Sequence, residues 1–133
     1  MSAIVADTHA MVWYLTDPIK LSTAAVTAFN NATNKGDPIF MSTISLVELC
    51  YLVEKGKLPR STMITVLGAF SLPATPLELM SVTPEIALTL GKIPRDIVPD
   101  MPDRVIAATA LELGLPLVTR DHKIIASGIP TIW

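Results

Sequence analysis

One stretch of this chain leaves it little freedom, Asp103 to Asp121, read as DRVIAATALELGLPLVTRD. Met101-Pro102-Asp103 reads as a helix start, with proline preset for the first turn and an acid where the helix dipole favours negative charge. From Val105 to Leu113 the pattern is apolar almost all round, which marks a buried helix rather than one laid on a surface. Ala107, Ala110 and Gly114 keep one flank small, and Gly114 stands where a left-handed residue ends a helix. Leu115 to Thr119 then reads as a short buried strand that delivers Asp121 just past its end. The stretch therefore places one carboxylate at a helix N-terminus and another beyond a strand's carboxyl end. In an open α/β sheet both positions lie on one edge, the edge where ligands bind.

The rest of the chain repeats this alternation. Ala3 to Ala6 reads as a central parallel strand ending on Asp7, followed by a helical patch over Met11–Leu15 that Asp17-Pro18 breaks. Ser22 is placed to cap a helix over Thr23–Asn31, and Ile39–Met41 is a second strand beyond the turn at Lys35–Pro38. In STISLVELCYLVEKGK the sets Ile44, Val47, Tyr51 and Leu46, Leu49, Val53 both recur at helical spacing, so this helix also reads as largely buried. A helix over Thr62–Phe70, a strand over Leu77–Val82 and a helix begun by Thr83-Pro84-Glu85 follow. Three prolines between Ile93 and Pro102 make that segment an irregular loop, and Pro130–Trp133 is a fifth strand. Short apolar strands alternating with helices predict an α/β fold, one domain over residues 1–133 with a parallel sheet of about five strands covered on both faces.

Composition narrows the setting more than the chemistry. Half the residues are hydrophobic and 17% are charged, which argues against disorder and predicts more apolar surface than a lone monomer exposes. A net charge of −2 gives no global basic footprint for nucleic acid. The single Cys50 has no internal disulfide partner, which fits a reduced compartment. The N-terminal MSAIVADTHA lacks a basic region before its apolar run, so it does not read as a signal peptide. The longest uncharged run, Ser61 to Leu77, is interrupted by Gly68, Pro73 and Pro76 and falls short of the roughly 20 apolar residues of a membrane span. The expectation is a cytoplasmic protein with no membrane association.

Four acids stand out by position: Asp7 after strand one, Glu48 near the start of the helix after strand two, Asp103, and Asp121 after strand four. Each has an ordinary reading. Asp7 and Asp121 could cap the helices that follow, Ser45-Leu46-Val47-Glu48 is written as a capping box, and Asp103 could complement a helix dipole. Their common edge is weak evidence by itself, because every strand-to-helix junction of a parallel sheet lies there. What weighs against four caps is the number of carboxylates near the middle of the sheet. Like charges gathered there raise one another's pKa unless a cation sits among them, and hard oxygen ligands suit Mg²⁺ or Mn²⁺ rather than zinc.

These residues carry a resemblance. The blocks Val5–Ala10, Ser42–Glu48, Pro102–Ala110 (PDRVIAATA) and Leu117–Asp121 (LVTRD) resemble, in order and across nearly the whole chain, the PIN-domain nucleases, and within them the toxins of VapBC-type toxin–antitoxin pairs. The resemblance implies a three-layer PIN-like domain and a metal-dependent endoribonuclease. It implies that Asp7, Glu48, Asp103 and Asp121 are the catalytic residues and hold one or two Mg²⁺ or Mn²⁺ ions, with water attacking the phosphodiester in line. The products would carry a 5′-phosphate and a 3′-hydroxyl. Thr8 and Thr119 match places where small hydroxyl residues support the ligands. A cognate antitoxin protein and a homodimer are the implied partners beside the RNA substrate, with Ser42 to Phe70 as the expected apolar partner surface.

Residues beside the four acids are read with less weight. Arg104, Arg120 and Lys123 flank the site and could hold RNA phosphates, although Arg104 could equally neutralise its acidic neighbours. Asp96 and Asp100 read as loop acids, with Asp100 a possible assistant ligand. His9 and His122 lack the spaced His/Cys set of a zinc site, and Trp13, Tyr14 and Trp133 read as core. Three rival functions stay in view. An aspartate-nucleophile phosphatase usually wants a second acid two residues after the first, where His9 stands. A phospho-receiver wants an acceptor aspartate after the third strand, where Val82-Thr83-Pro84 offers none. A non-catalytic PIN-like module that binds RNA or protein would be expected to lack one of the acids.

Overall fold

Residue alternation along the strands decides how this molecule is layered. A computed structural model describes residues 2–133. In the first strand, β1 (Ile4–Ala6), Ile4 and Ala6 face one apolar cluster while Val5 faces another. The same split recurs at β4 (Leu117–Val118), where Leu117 joins the cluster of Val5 and Val118 that of Ile4. Period-two alternation with both faces apolar is what a sheet sandwiched between helices requires.

The sheet has five parallel strands in the order β3-β2-β1-β4-β5, with β2 at Ile39–Ser42, β3 at Leu77–Met80 and β5 at Thr131–Ile132. On one face lie α1 (Thr8–Thr16), α2 (Thr23–Lys35), α3 (Ile44–Glu54) and α4 (Arg60–Phe70), around Met11, Phe29, Leu49 and Val66. On the other lie α5 (Pro84–Thr89), α6 (Met101–Leu113) and α7 (His122–Ala126), around Ile86, Ile106 and Ile124. This is the expected α/β three-layer architecture. Helix α6 is buried through Val105–Ala110 and ends at Gly114, whose φ of +66° is the left-handed conformation that glycine adopts freely. Among the described residues no helix is long and apolar enough to cross a membrane.

Chain order reverses between β1 and β4, since the chain builds outward to β3 on one side and β5 on the other. A crevice opens at the carboxyl ends of strands at such a reversal. Asp7 follows β1 directly and Asp121 follows β4 after two intervening residues, so these two acids straddle it.

Element boundaries depart from the sequence reading where strands were drawn too long. The segment expected over Leu115–Thr119 pairs only through Leu117 and Val118, and the strand from Leu77 stops at Met80. One motif is corrected. Helix α3 begins at Ile44 after Thr43, which makes no side-chain capping bond, so Ser45 and Glu48 lie inside the helix and form no capping box. Their side chains turn to Thr8 instead.

Phe29 holds the first face together. It is fully buried and stacks on Tyr14 with centroids 4.2 Å apart and planes 4° from parallel. Phe29→Ala should lower the unfolding free energy by about 3–5 kcal/mol, the usual range for emptying an aromatic site in a core, as read by urea titration.

Candidate active site

Asp7 is fixed by backbone before its side chain does anything. Its amide donates to the Val118 carbonyl at 3.1 Å, extending the β1–β4 ladder by one step. Its carboxylate then takes one oxygen to each neighbour. Oδ1 accepts from the Ala10 amide at 2.8 Å and caps α1, while Oδ2 accepts a short hydrogen bond from the Thr119 hydroxyl. Thr119 in turn accepts from the Asp121 amide at 3.0 Å, and Asp121 Oδ1 accepts from the amides of Lys123 and Ile124 at 2.8 and 3.1 Å, capping α7. So Asp7 and Asp121 are caps, and the same contacts aim both into the crevice. The other oxygen of Asp121 has no protein hydrogen-bond partner among the described residues.

Glu48 arrives from the facing helix. The Thr8 hydroxyl donates to its Oε1 and lies 2.8 Å from the hydroxyl of buried Ser45, so α1 and α3 meet through two hydroxyls and a carboxylate. Asp103 stands in the first turn of α6, but the cap of that helix is Asp100, whose Oδ2 accepts from the Asp103 amide at 3.1 Å. Asp103 is thereby released from capping. A cavity of about 460 Å³ lies between these elements, lined by Asp7, Glu48, Asp100, Asp103 and Asp121. His9, Trp13, Arg120 and Lys123 line it as well. Asp96 does not reach it.

Arg104 is corrected. One terminal nitrogen of its guanidinium donates to the carbonyls of Leu90 and Ile93, at 2.8 and 2.9 Å, and its Nε is buried with no partner. It pins the start of the proline-rich loop to α6, has no ion pair among the described residues and does not line the cavity. Three participants escaped the sequence reading. Ser45 was hidden by the apparent capping box. His9 and Trp13 stand four residues apart on α1, and His9 is two residues after the cap. That spacing places both on one helix face near the cavity.

The PIN-domain family model matches residues 4–127. The chain belongs to the PIN-domain family. It is 32% identical over 136 residues to Ribonuclease VapC22 of Mycobacterium tuberculosis, across all of both chains, which places it with the VapC-like members. Among solved structures it resembles DNA-bound VapBC from Salmonella typhimurium, with a TM-score of 0.70 and 24% identity over 98% of this chain and 97% of that one. VapBC2 from Rickettsia felis bound to a promoter DNA fragment gives a TM-score of 0.71 and 18% identity, covering 97% of this chain and 96% of that one. At those identities the likeness is one of fold.

Charge is the unusual property of this PIN domain's cavity. Burial, then the neighbouring carboxylates of Asp100, Asp121, Glu48 and Asp7, raise the Asp103 pKa from an ordinary 3.8 to about 7. Burial also raises that of Asp7, against the Thr119 and Ala10 hydrogen bonds that lower it. Among the described residues none of these acids is ion-paired, although Arg120 and Lys123 line the same cavity and the charge of His9 partly offsets Asp7. The ion pair found among the described residues, Lys20–Asp17 at 3.9 Å, lies elsewhere on the surface. As they stand, no three His, Cys, Asp or Glu side chains among the described residues are gathered closely enough to hold a metal ion. The donor chemistry nonetheless fits a hard divalent ion, since the donors are oxygens and Mg²⁺ keeps several waters and needs only one or two carboxylates directly.

A raised folded-state pKa means that the folded protein holds a proton the unfolded chain has released. Stability of the metal-free protein should therefore fall as pH rises from about 4 to about 7 through Asp103, with Asp7 acting in the same direction. Asp103→Asn should flatten that slope and, after allowance for solvent screening, raise metal-free stability at pH 7 by about 1 kcal/mol. A dipole-serving acid would give the opposite sign, a loss of about 0.3–1 kcal/mol. Thermal melts in EDTA at pH 4.5 and pH 7 distinguish the two.

Proposed function

We propose that this PIN domain is a divalent-metal-dependent endoribonuclease and the toxin of a toxin–antitoxin pair. The observation that carries the reading is the carboxylate-rich cavity at the β1–β4 reversal, lined by Asp7, Glu48, Asp103 and Asp121, none of them ion-paired among the described residues. A protein does not assemble such repulsion for structure alone, and a bound cation relieves it. The M. tuberculosis relative, a ribonuclease, supports the same chemistry.

In this reading Asp7, Glu48, Asp103 and Asp121 hold one or two Mg²⁺ or Mn²⁺ ions. The ion supplies a lowered pKa for an attacking water and positive charge against the phosphodiester. Thr119 and Thr8 orient Asp7 and Glu48 through their hydroxyls. Lys123, exposed at the rim, meets a substrate phosphate. A proton on Asp103 near neutrality is displaced when a cation arrives, which ties cation binding to pH.

The partner surface follows from exposure. Val47 and Tyr51 on α3 and Ile64 and Leu67 on α4 are 43–68% exposed, a concentration of large apolar side chains suited to a second copy of the chain or a small antitoxin. Solved structures of similar fold include a toxin–antitoxin complex from Klebsiella pneumoniae, which supports the antitoxin as partner.

Purified chain freed of any bound antitoxin should cut RNA with Mg²⁺ or Mn²⁺ and stop in EDTA. Asp7→Asn and Asp103→Asn should each slow cleavage by about 100-fold or more, in keeping with removal of a group that stabilises the transition state. Thr119→Val should weaken Mn²⁺ binding by about 10–100-fold, measured by calorimetry on folded protein. Folded wild-type protein that cuts neither tRNA nor rRNA with either metal would sink the reading.

A further inference from the structure

Planar side chains line part of the acidic cavity. His9 is exposed, and half-buried Trp13 lies one helical turn beyond it with ring centroids 5.7 Å apart. The Arg120 guanidinium carbon sits 4.6 Å from the centroid of the Trp13 ring, and Trp133 packs against that ring at 5.9 Å. Arg120 makes no ion pair with any acid among the described residues, although it lines the same cavity as five carboxylates. Its planar cation is committed to an aromatic ring instead. An arginine held in this way keeps its guanidinium oriented, and a guanidinium plane stacks on nucleobases as an aromatic ring does.

We propose that His9 and the Trp13-backed Arg120 form a nucleobase-stacking wall that holds the base beside the scissile phosphate out of its stack. The proposal rests on the nuclease reading above and names the residues that would seat the substrate's base. A duplex keeps its bases paired and stacked inside, where no wall can reach their faces. A single strand offers a free base for the planes and its phosphate for the rest of the cavity, where exposed Lys123 also lies. Stacking tolerates any base, because every base has a π-face. Trp13 acts as a positioning residue, touching Arg120 and His9 rather than the RNA.

The test is equilibrium binding of an unstructured RNA of about eight nucleotides, within the usual span of single-strand sites, to the full chain. An Asp103→Asn background with excess Mn²⁺ keeps the strand intact. Arg120→Lys keeps the charge but loses the plane, so it should weaken binding as much as Arg120→Ala, by about five-fold or more. His9→Phe keeps a ring and should bind within about two-fold of the parent, whereas His9→Ala should lose about five-fold or more. One abasic position in the RNA should reproduce the His9→Ala loss, and the two losses should not add. Binding by Arg120→Lys equal to the parent would make Arg120 a phosphate contact and overturn the wall. A hairpin duplex bound as tightly as the strand, or no measurable binding by the parent, would overturn it too. Failure of the nuclease reading looks different: wild-type protein cuts nothing, while binding still depends on the planes.

Discussion

A carboxylate buried between two parallel strands survives only if the backbone and its neighbours supply donors for both oxygens. Asp7 meets that condition through Ala10 on its own helix and Thr119 from the next strand. The Thr119 contact is the one on which the site's geometry depends. It joins the ends of β1 and β4 across the reversal of strand order, and by accepting from the Asp121 amide it also sets where α7 begins. Burial raises the Asp7 pKa, and the same donors that place the group partly offset that rise.

The site is held under opposing demands. Helix α6 is capped by Asp100, which leaves Asp103 with no structural duty beyond its place in the first turn. That division of labour puts two acids where one would cap, and the second is raised to about 7 by burial and by its neighbours. The fold carries this strain on a helix that is apolar and buried over Val105–Ala110, the element best able to absorb it.

Much of this was readable from the chain because the signals were periodic or positional. The β1, β4 and α6 assignments rested on apolar runs bounded by Asp7, Gly114 and Asp121, and each boundary residue does the local work its type implies. Misreadings arose where one spelling fits two physical roles. Ser45 and Glu48 have capping-box spacing, but a capping serine must precede the helix, and α3 had already begun at Ile44. What decided the matter was Thr8, 37 residues away from Ser45, which no local pattern reveals. Arg104 was misjudged for the same reason. Adjacency to Asp103 in sequence says nothing of direction on a helix, where neighbours point about 100° apart, and its partners are carbonyls of a loop 11 and 14 residues back.

The Arg104 clamp has a consequence for how such a molecule can vary. Ile93 and Val98 are anchored in the second core, Arg104 holds the carbonyls at the loop's entry, and Asp100 fastens its exit. Between the anchors, Pro94, Arg95 and Asp96 are exposed. Chain added at that tip is isolated from α6, and doubling the length of such a loop costs only about 0.6 kcal/mol in closure entropy. The tip is thus a graft point: a recognition peptide or a fluorescent tag spliced between Arg95 and Asp96 would extend from the loop without touching the carboxylates that line the cavity.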